Sequence, residues 1–261
     1  MKKLFVLIFA LTMWLDATTF AVVKKVEGRA KVQTSQSIKK SNLNVGYELK
    51  KGDSIITYKT SKVVLLMQDK TKIVLDAYTK LTLLSESDYK QSGGKVFYKV
   101  TKRKGAKGLN VTTPFAIIGV KGTEFVIEDN NTTGEVALNE GLIGVDSPDK
   151  KPFELIDKDK VDAKMGGSPD EVNAEFEAYK EQLYKEFAEY VSSFDLEPGK
   201  KLSFNGKQVL QSSQGKSDQQ MFKLYMSDAE FDATVKELES DVTGDLQSEE
   251  DAFSDDFFSE D

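Results

Sequence analysis

The chain has 261 residues, with 36 Lys and Arg against 43 Asp and Glu, for a formal net charge of −7. Cysteine and histidine are both absent, which excludes disulfides, thiolate nucleophiles, imidazole bases and His/Cys metal sites. What remains is carboxylate, lysine, tyrosine and backbone chemistry in a chain long enough to bury a substantial core.

Lys2 and Lys3 precede an apolar run from Leu4 to Leu15, and Thr19-Phe20-Ala21 places small residues at the two positions a signal peptidase reads. This predicts a secretory leader over 1–21 with cleavage after Ala21. As a helix the run reaches only about 18 Å, short of a hydrocarbon core of roughly 30 Å. Lengthening it to Val23 would bury Asp16. No stable membrane span is expected after cleavage, and the expected location is the periplasm, the medium or the cell surface.

Charge divides the rest. Residues 22–150 carry 22 basic and 14 acidic side chains, whereas 151–261 carry 12 and 28. Such a split favours two regions, each either solvated by its own charge or attracted to a partner of opposite sign.

From Val22 to Val161 the chain is rich in β-branched residues and glycine-marked turns. Strands are predicted at Val22–Val32, Ser54–Thr57, Lys62–Gln68, Thr71–Asp76, Lys80–Leu84 and Lys95–Thr101. Further strands are predicted at Leu109–Thr112, Ala116–Val120, Glu124–Glu128, Gly134–Asn139 and Leu142–Asp146. Gln68-Asp69-Lys70 and Asn139-Glu140-Gly141 read as hairpin turns. Val63–Met67 and Phe115–Val120 are continuous apolar runs, which means strands covered on both faces. The fold class is therefore mainly β, a compact β-helical stack or roll of short strands, with a C-terminal α-helical region and a small hairpin.

Residues 113–127 read TPFAIIGVKGTEFVI. Gly119 and Gly122 bracket Val120-Lys121, a spacing suited to a bend where two strands approach. Phosphate-cradling glycine patterns and a following helix are missing, so the segment reads as a packed corner. It resembles the signature of the FecR-type (iron-dicitrate sensor-like) periplasmic domain family, with Lys121 at that family's usual arginine position. Leu49–Thr57 resembles the family's first glycine-aspartate turn, and Val136–Gly141 its closing strand and turn. The resemblance spans about Val22 to Ser147. It implies a mostly β, exported domain, here a standalone one. Regulatory relatives relay a signal from an outer-membrane receptor to a sigma factor.

Ser168-Pro169-Asp170-Glu171 is a helix start, and Val172, Phe176, Tyr179, Leu183, Phe187 and Tyr190 recur at helical spacing. A helix from Pro169 to about Val191 is predicted, its aromatic stripe serving as a docking face on the β region or as a self-association seam. Asn205-Gly206 marks a hairpin between Lys201–Phe204 and Lys207–Leu210. A second helical stretch starts near Ser217, completing a C-terminal region over 162–238. Glu237–Asp261 holds eleven acidic residues and no basic one, so residues 239–261 read as an acidic, disordered tail. Phe253, Phe257 and Phe258 leave open a docking role for it on a basic surface.

No catalytic, cofactor-binding or metal-ligating residue is assigned. Asp53, Asp69, Asp76 and Glu124 lie near strand ends and read as turn or surface acids, although a glycosidase would need such a pair. Lys99, Lys102, Arg103, Lys104 and Lys107 form a basic run, but an acidic, exported chain points away from nucleic acid. Asn131 lies in a turn that resembles a bacterial N-glycosylation acceptor. The leading expectation is a non-catalytic, exported protein-interaction or scaffold module of the cell envelope. The alternatives are a cell-wall carbohydrate-binding module, with Tyr47, Tyr58, Tyr78, Tyr89 and Tyr98 as platforms, or a receptor-linked signalling component.

Overall fold

The computed structural model describes residues 19–101, 108–130, 132–166 and 174–226. The apolar leader run, the basic residues 102–107, Asn131, the Ser168 helix start and the acidic tail lie outside the described residues.

The strands are β1 (Thr19–Glu27), β2 (Ala30–Gln33), β3 (Lys40–Asn42), β4 (Glu48–Lys50), β5 (Ser54–Thr57), β6 (Lys62–Met67) and β7 (Lys72–Leu75). They continue with β8 (Lys80–Leu83), β9 (Asp88–Gln91), β10 (Gly94–Lys99), β11 (Leu109–Thr112), β12 (Ile117–Val120), β13 (Glu124–Asp129) and β14 (Thr133–Glu140). Next come β15 (Ile143–Asp146), β16 (Phe153–Asp157), α1 (Lys158–Met165) and α2 (Ala174–Glu186). The last are β17 (Ala188–Val191), β18 (Ser193–Leu196), β19 (Lys200–Asn205), β20 (Gln208–Ser213) and α3 (Lys216–Met226).

Among the described residues these strands form two sheets. One runs β17-β16-β20-β19-β14-β13-β10-β7-β6-β1-β4, the other β18-β15-β12-β11-β9-β8-β5-β2-β3. The chain shuttles between them, laying down one or two strands before crossing, so both sheets grow in nearly the order of the sequence. This is the expected stack of short strands. Most ladders are antiparallel; β9–β11 and β16–β20 are parallel.

Crossings occur where the sequence permits a sharp bend. The long strand predicted over Val22–Val32 breaks at Gly28, whose φ of +69° suits glycine and where a Cβ would meet the Thr60 carbonyl oxygen at 2.6 Å. Its two halves, β1 and β2, enter different sheets.

The core lies between the sheets. Val63, Leu65, Ile73, Leu75, Val96, Tyr98, Phe125, Ile127, Val136 and Leu138 face Ile55, Leu81, Leu83, Tyr89, Val111, Ile118, Ile143 and Val145 in one continuous cluster. The continuous apolar run Val63–Met67 is explained on the other face, whereas Phe115–Val120 is covered on one face only, with Ile117 and Gly119 half-buried. Val64, Val74, Phe97, Val126 and Ala137 are in register across five strands, and all are buried. Strands buried on both faces need no alternation.

The sheets continue past Val161, the expected end of the β region. The Asn205-Gly206 hairpin forms as β19–β20 and pairs with β14, while β16–β18 extend both sheets. One correction concerns the long helix: it ends at Glu186, and Ala188–Val191 is a strand paired with β16. Spacing alone carried Tyr190 and Val191 into the helix, but ladder partners on β16 were available. The C-terminal half of α2 does pack on the β region: Leu183 and Tyr184, with Phe187 just after the helix, cluster with Ile156, Leu210 and Val161 of α1. Tyr179 stays exposed.

By contacts the chain divides into two compact units, the first ending at Ser213 and the second beginning at Gln214. In the second unit α3 is described, its N-terminal turn held by the Gly215 N–H donating to Asp218 Oδ2 at 2.8 Å.

Candidate functional site

The 113–127 segment is a crossing between sheets. Thr113 builds its entry. Its hydroxyl donates to the Ala116 carbonyl at 2.8 Å and accepts from the Ala116 N–H at 2.9 Å, and its own N–H bonds to the same carbonyl. This side-chain turn holds Pro114 at the surface and launches β12. Ile118 and Val120 then point into the core. At Lys121–Thr123 the chain bends, with Gly122 at φ +65°, and re-emerges as β13 in the opposite sheet. A register shift between Glu124 and Phe125 marks the bulge. Phe125 and Ile127 are fully buried, and the Phe125 ring stacks on Tyr98 at 4.8 Å.

Phe115 packs on Phe204 of the hairpin at 4.8 Å, so the motif also anchors the strands that extend the sheet. Thr123 is 1% exposed, and its hydroxyl is buried with no hydrogen-bond partner among the described residues. Glu124 is 5% exposed and satisfied by Lys99 Nζ at 2.8 Å and Asn139 Nδ2 at 3.1 Å. Lys121 is exposed. Apart from that lysine, the charged and hydroxyl groups of the corner are occupied by packing or by neighbours, and no reacting group is presented.

The other acids considered from sequence are equally committed. Asp53 accepts from the Lys50 N–H at 3.0 Å and the Ser35 N–H at 3.4 Å, closing the turn before β5. Asp69 accepts from the N–H and hydroxyl of Thr71. Asp76 accepts from the Ala77 N–H at 2.9 Å. Each is a turn acid.

The five tyrosines do not share a groove. Tyr89 and Tyr98 are buried, and the Tyr98 hydroxyl donates to Gln91 Oε1 at 3.0 Å. Burial, then the proximity of Tyr89, raises the Tyr98 phenol well above 10. Tyr47 and Tyr58 are half-buried, and Arg29 covers the Tyr58 ring at 4.0 Å. Tyr78 alone is open, at 67% exposure. Burial of this kind counts against an aromatic sugar platform. Of the basic run, Lys99 is described and pairs with Glu124.

Two cavities of about 250 Å³ lie elsewhere: one under Phe20, Met67 and Tyr89, the other beside Leu155, Phe187 and Gln211. Neither is lined by a residue of the 113–127 segment. Among the described residues no group of three or more carboxylates is placed to hold a metal ion, and no helix is long and apolar enough to cross a membrane.

One cluster went unseen in the sequence. Asp159, in the first turn of α1, accepts from the Ser213 N–H at 3.0 Å, the Ser213 hydroxyl at 2.7 Å and Lys200 Nζ at 2.6 Å. Partial burial raises its pKa, but Lys200 and Ser213 outweigh that and hold it at about 2. These partners are 41 and 54 residues away, a distance that local patterning does not span.

Residues 53–144 match the family described as FecR protein. That span opens at the Asp53 turn and closes in β15, so it takes in the whole corner. No curated protein matches the chain. Two crystal structures described as a putative anti-sigma factor from Parabacteroides distasonis share 16% identity with it, with TM-scores of 0.42 and 0.41. Each alignment covers 62% of this chain and 59% of the other. A structure described as a cell surface anchoring domain is 18% identical, covers 25% of this chain and 86% of its own, and has a TM-score of 0.24. The FecR-like segment is thus the central part of both sheets, and its motif residues are the ones spent on the crossing.

Proposed function

We propose that this chain acts in the cell envelope as an exported, non-catalytic module that holds a protein partner. The observation that carries the reading is the use of the FecR-like motif as framework. Thr113, Phe115, Glu124 and Phe125 are consumed by turn, stack and ion pair, which leaves recognition to surfaces outside the motif. In this reading the two sheets form the β domain, which their strands carry past residue 161 to Ser213. The helices within 162–238 supply or regulate the contact, and the acidic tail 239–261 tunes it through charge.

The test is capture from envelope extracts by the full chain and by a chain ending at Leu238. Saturable retention of the same protein prey supports the module, and prey lost on truncation assigns the contact to the tail. Retention of isolated cell-wall polymer with no protein prey would overturn the reading.

A further inference from the structure

We propose that copies of this chain associate head to tail, the basic end of the two sheets in one copy meeting the acidic end in the next. The contact is separate from the partner proposed above.

Among the described residues neither sheet closes on itself, so each has two edge strands. β4 and β3 lie at one end of the two strand orders, β17 and β18 at the other. Residues 43–47 join β3 to β4, and Ser192 joins β17 to β18. Each end is thus one short stretch of chain that edges both sheets.

The edge backbone is available for pairing. The Leu43 N–H donates to the Ala30 carbonyl at 3.0 Å. In the β2–β3 register the next bonded pair is then Val32–Ser41, and the N–H and C=O groups of Lys40 and Asn42 turn away from the sheet. At the other end the Ser147 N–H donates to the Ser192 carbonyl at 2.9 Å, and the β15–β18 register turns those of Ser193 and Asp195 outward. Large apolar side chains are open at both ends. Ile38 and Val45, 94% and 62% exposed, flank β3, and Tyr190, at 71%, lies on β17.

Charge decides what covers them. Residues 38–51 carry Lys39, Lys40, Lys50 and Lys51 against Glu48, for a net +3. Residues 188–197 carry Glu189, Asp195 and Glu197 and no basic residue, for a net −3. All eight are exposed. An edge guarded by charge normally repels other edges. Here like ends repel each other, which disfavours a two-fold pair, while unlike ends attract. A contact between unlike surfaces leaves an open end on each outer copy, so further copies add in a row.

The experiment is sedimentation velocity over a range of concentrations on the chain purified from cells expressing it full-length. It is run at low salt and at about 0.5 M salt, where exposed charges are screened. Lys39→Glu/Lys40→Glu and Glu189→Lys/Asp195→Lys each reverse the sign of one end. At low salt the wild-type mass should rise with concentration past that of a dimer, and the rise should be lost in high salt. Each variant alone should stay monomeric, and an equimolar mixture of the two should regain association. A wild type that is monomeric throughout, that stops at a dimer or that associates equally in high salt would overturn the inference. So would association by either variant alone. Circular dichroism checks that the variants fold; should one unfold, the wild-type response to concentration and salt decides by itself.

Discussion

Phe115 occupies the space that a side chain at residue 134 would need. A Cβ built on Gly134 would stand 2.3 to 2.5 Å from three atoms of the Phe115 ring. The ring also packs on Phe204, the register partner of Gly134 on β19, so the turn before β12, the strand β14 and the hairpin are packed as one unit.

Gly134→Ala should therefore destabilise, although alanine in a strand normally gains about 0.5–1 kcal/mol over glycine. Forcing the ring aside costs about 1–3 kcal/mol. Urea denaturation would show a lower midpoint with unchanged slope. A midpoint equal to or above wild type would mean that Phe115 is free to move.

Thr113 and Thr123 are both buried, yet their hydroxyls differ. Thr113 Oγ1 makes bonds to the Ala116 N–H and carbonyl, while Thr123 Oγ1 makes none. Thr113→Val should cost about 1–3 kcal/mol, because it strands a buried N–H. Thr123→Val should be neutral or stabilising by up to about 1 kcal/mol. Thermal unfolding of the two variants side by side checks the contrast, and its reversal would refute the assignment.

Tyr98→Phe removes the hydroxyl that donates to Gln91, whose own amide donates to the Gly94 and Ile127 carbonyls. A loss of about 1–3 kcal/mol is expected. The raised phenol pKa gives a second readout. The folded state holds Tyr98 protonated, so its contribution is complete below pH 10 and falls as pH rises beyond it. Phenolate absorbance should show Tyr98 ionising only with unfolding; ionisation of every tyrosine in the folded protein would contradict this.

Asp159 has the opposite sign. Its pKa of about 2 lies below the ordinary 3.8, so its contribution is full above pH 4 and is lost as pH falls from about 4 to about 2. Lys200 and Asp159 are both partly exposed, and after solvent screening the pair contributes less than about 1 kcal/mol. Asp159→Asn should flatten acid unfolding in that window and speed amide exchange at Ser213. An unchanged acid limb would exclude the cluster from acid stability.

Much of the fold was legible because local chemistry and tertiary pairing agreed. Ser54–Thr57 and Leu109–Thr112 form as read, and the apolar run Val63–Met67 is buried on both faces because Val64 belongs to a second apolar row. The remainder depends on neighbours. β9, Asp-Tyr-Lys-Gln, has no β-branched residue and is a strand because β8 and β11 flank it. β3 and β4 are three-residue edges too short to show a period. Ala188–Val191 followed a helical pattern and was diverted by the free edge of β16. At the corner, the glycine spacing announced the bend, but the orphan hydroxyl of Thr123 and the Lys99–Glu124–Asn139 group exist only once the two sheets are assembled.

The central claim is that this FecR-like chain recognises a protein and uses its motif as framework. The most direct measurement offers one purified preparation, at one concentration, to envelope proteins and to isolated cell-wall polymer, with Lys121→Ala in parallel. Saturable binding to a protein component, unaffected by Lys121→Ala and absent on the polymer, is the expected result. Binding to the polymer alone, abolished by Lys121→Ala, would contradict it.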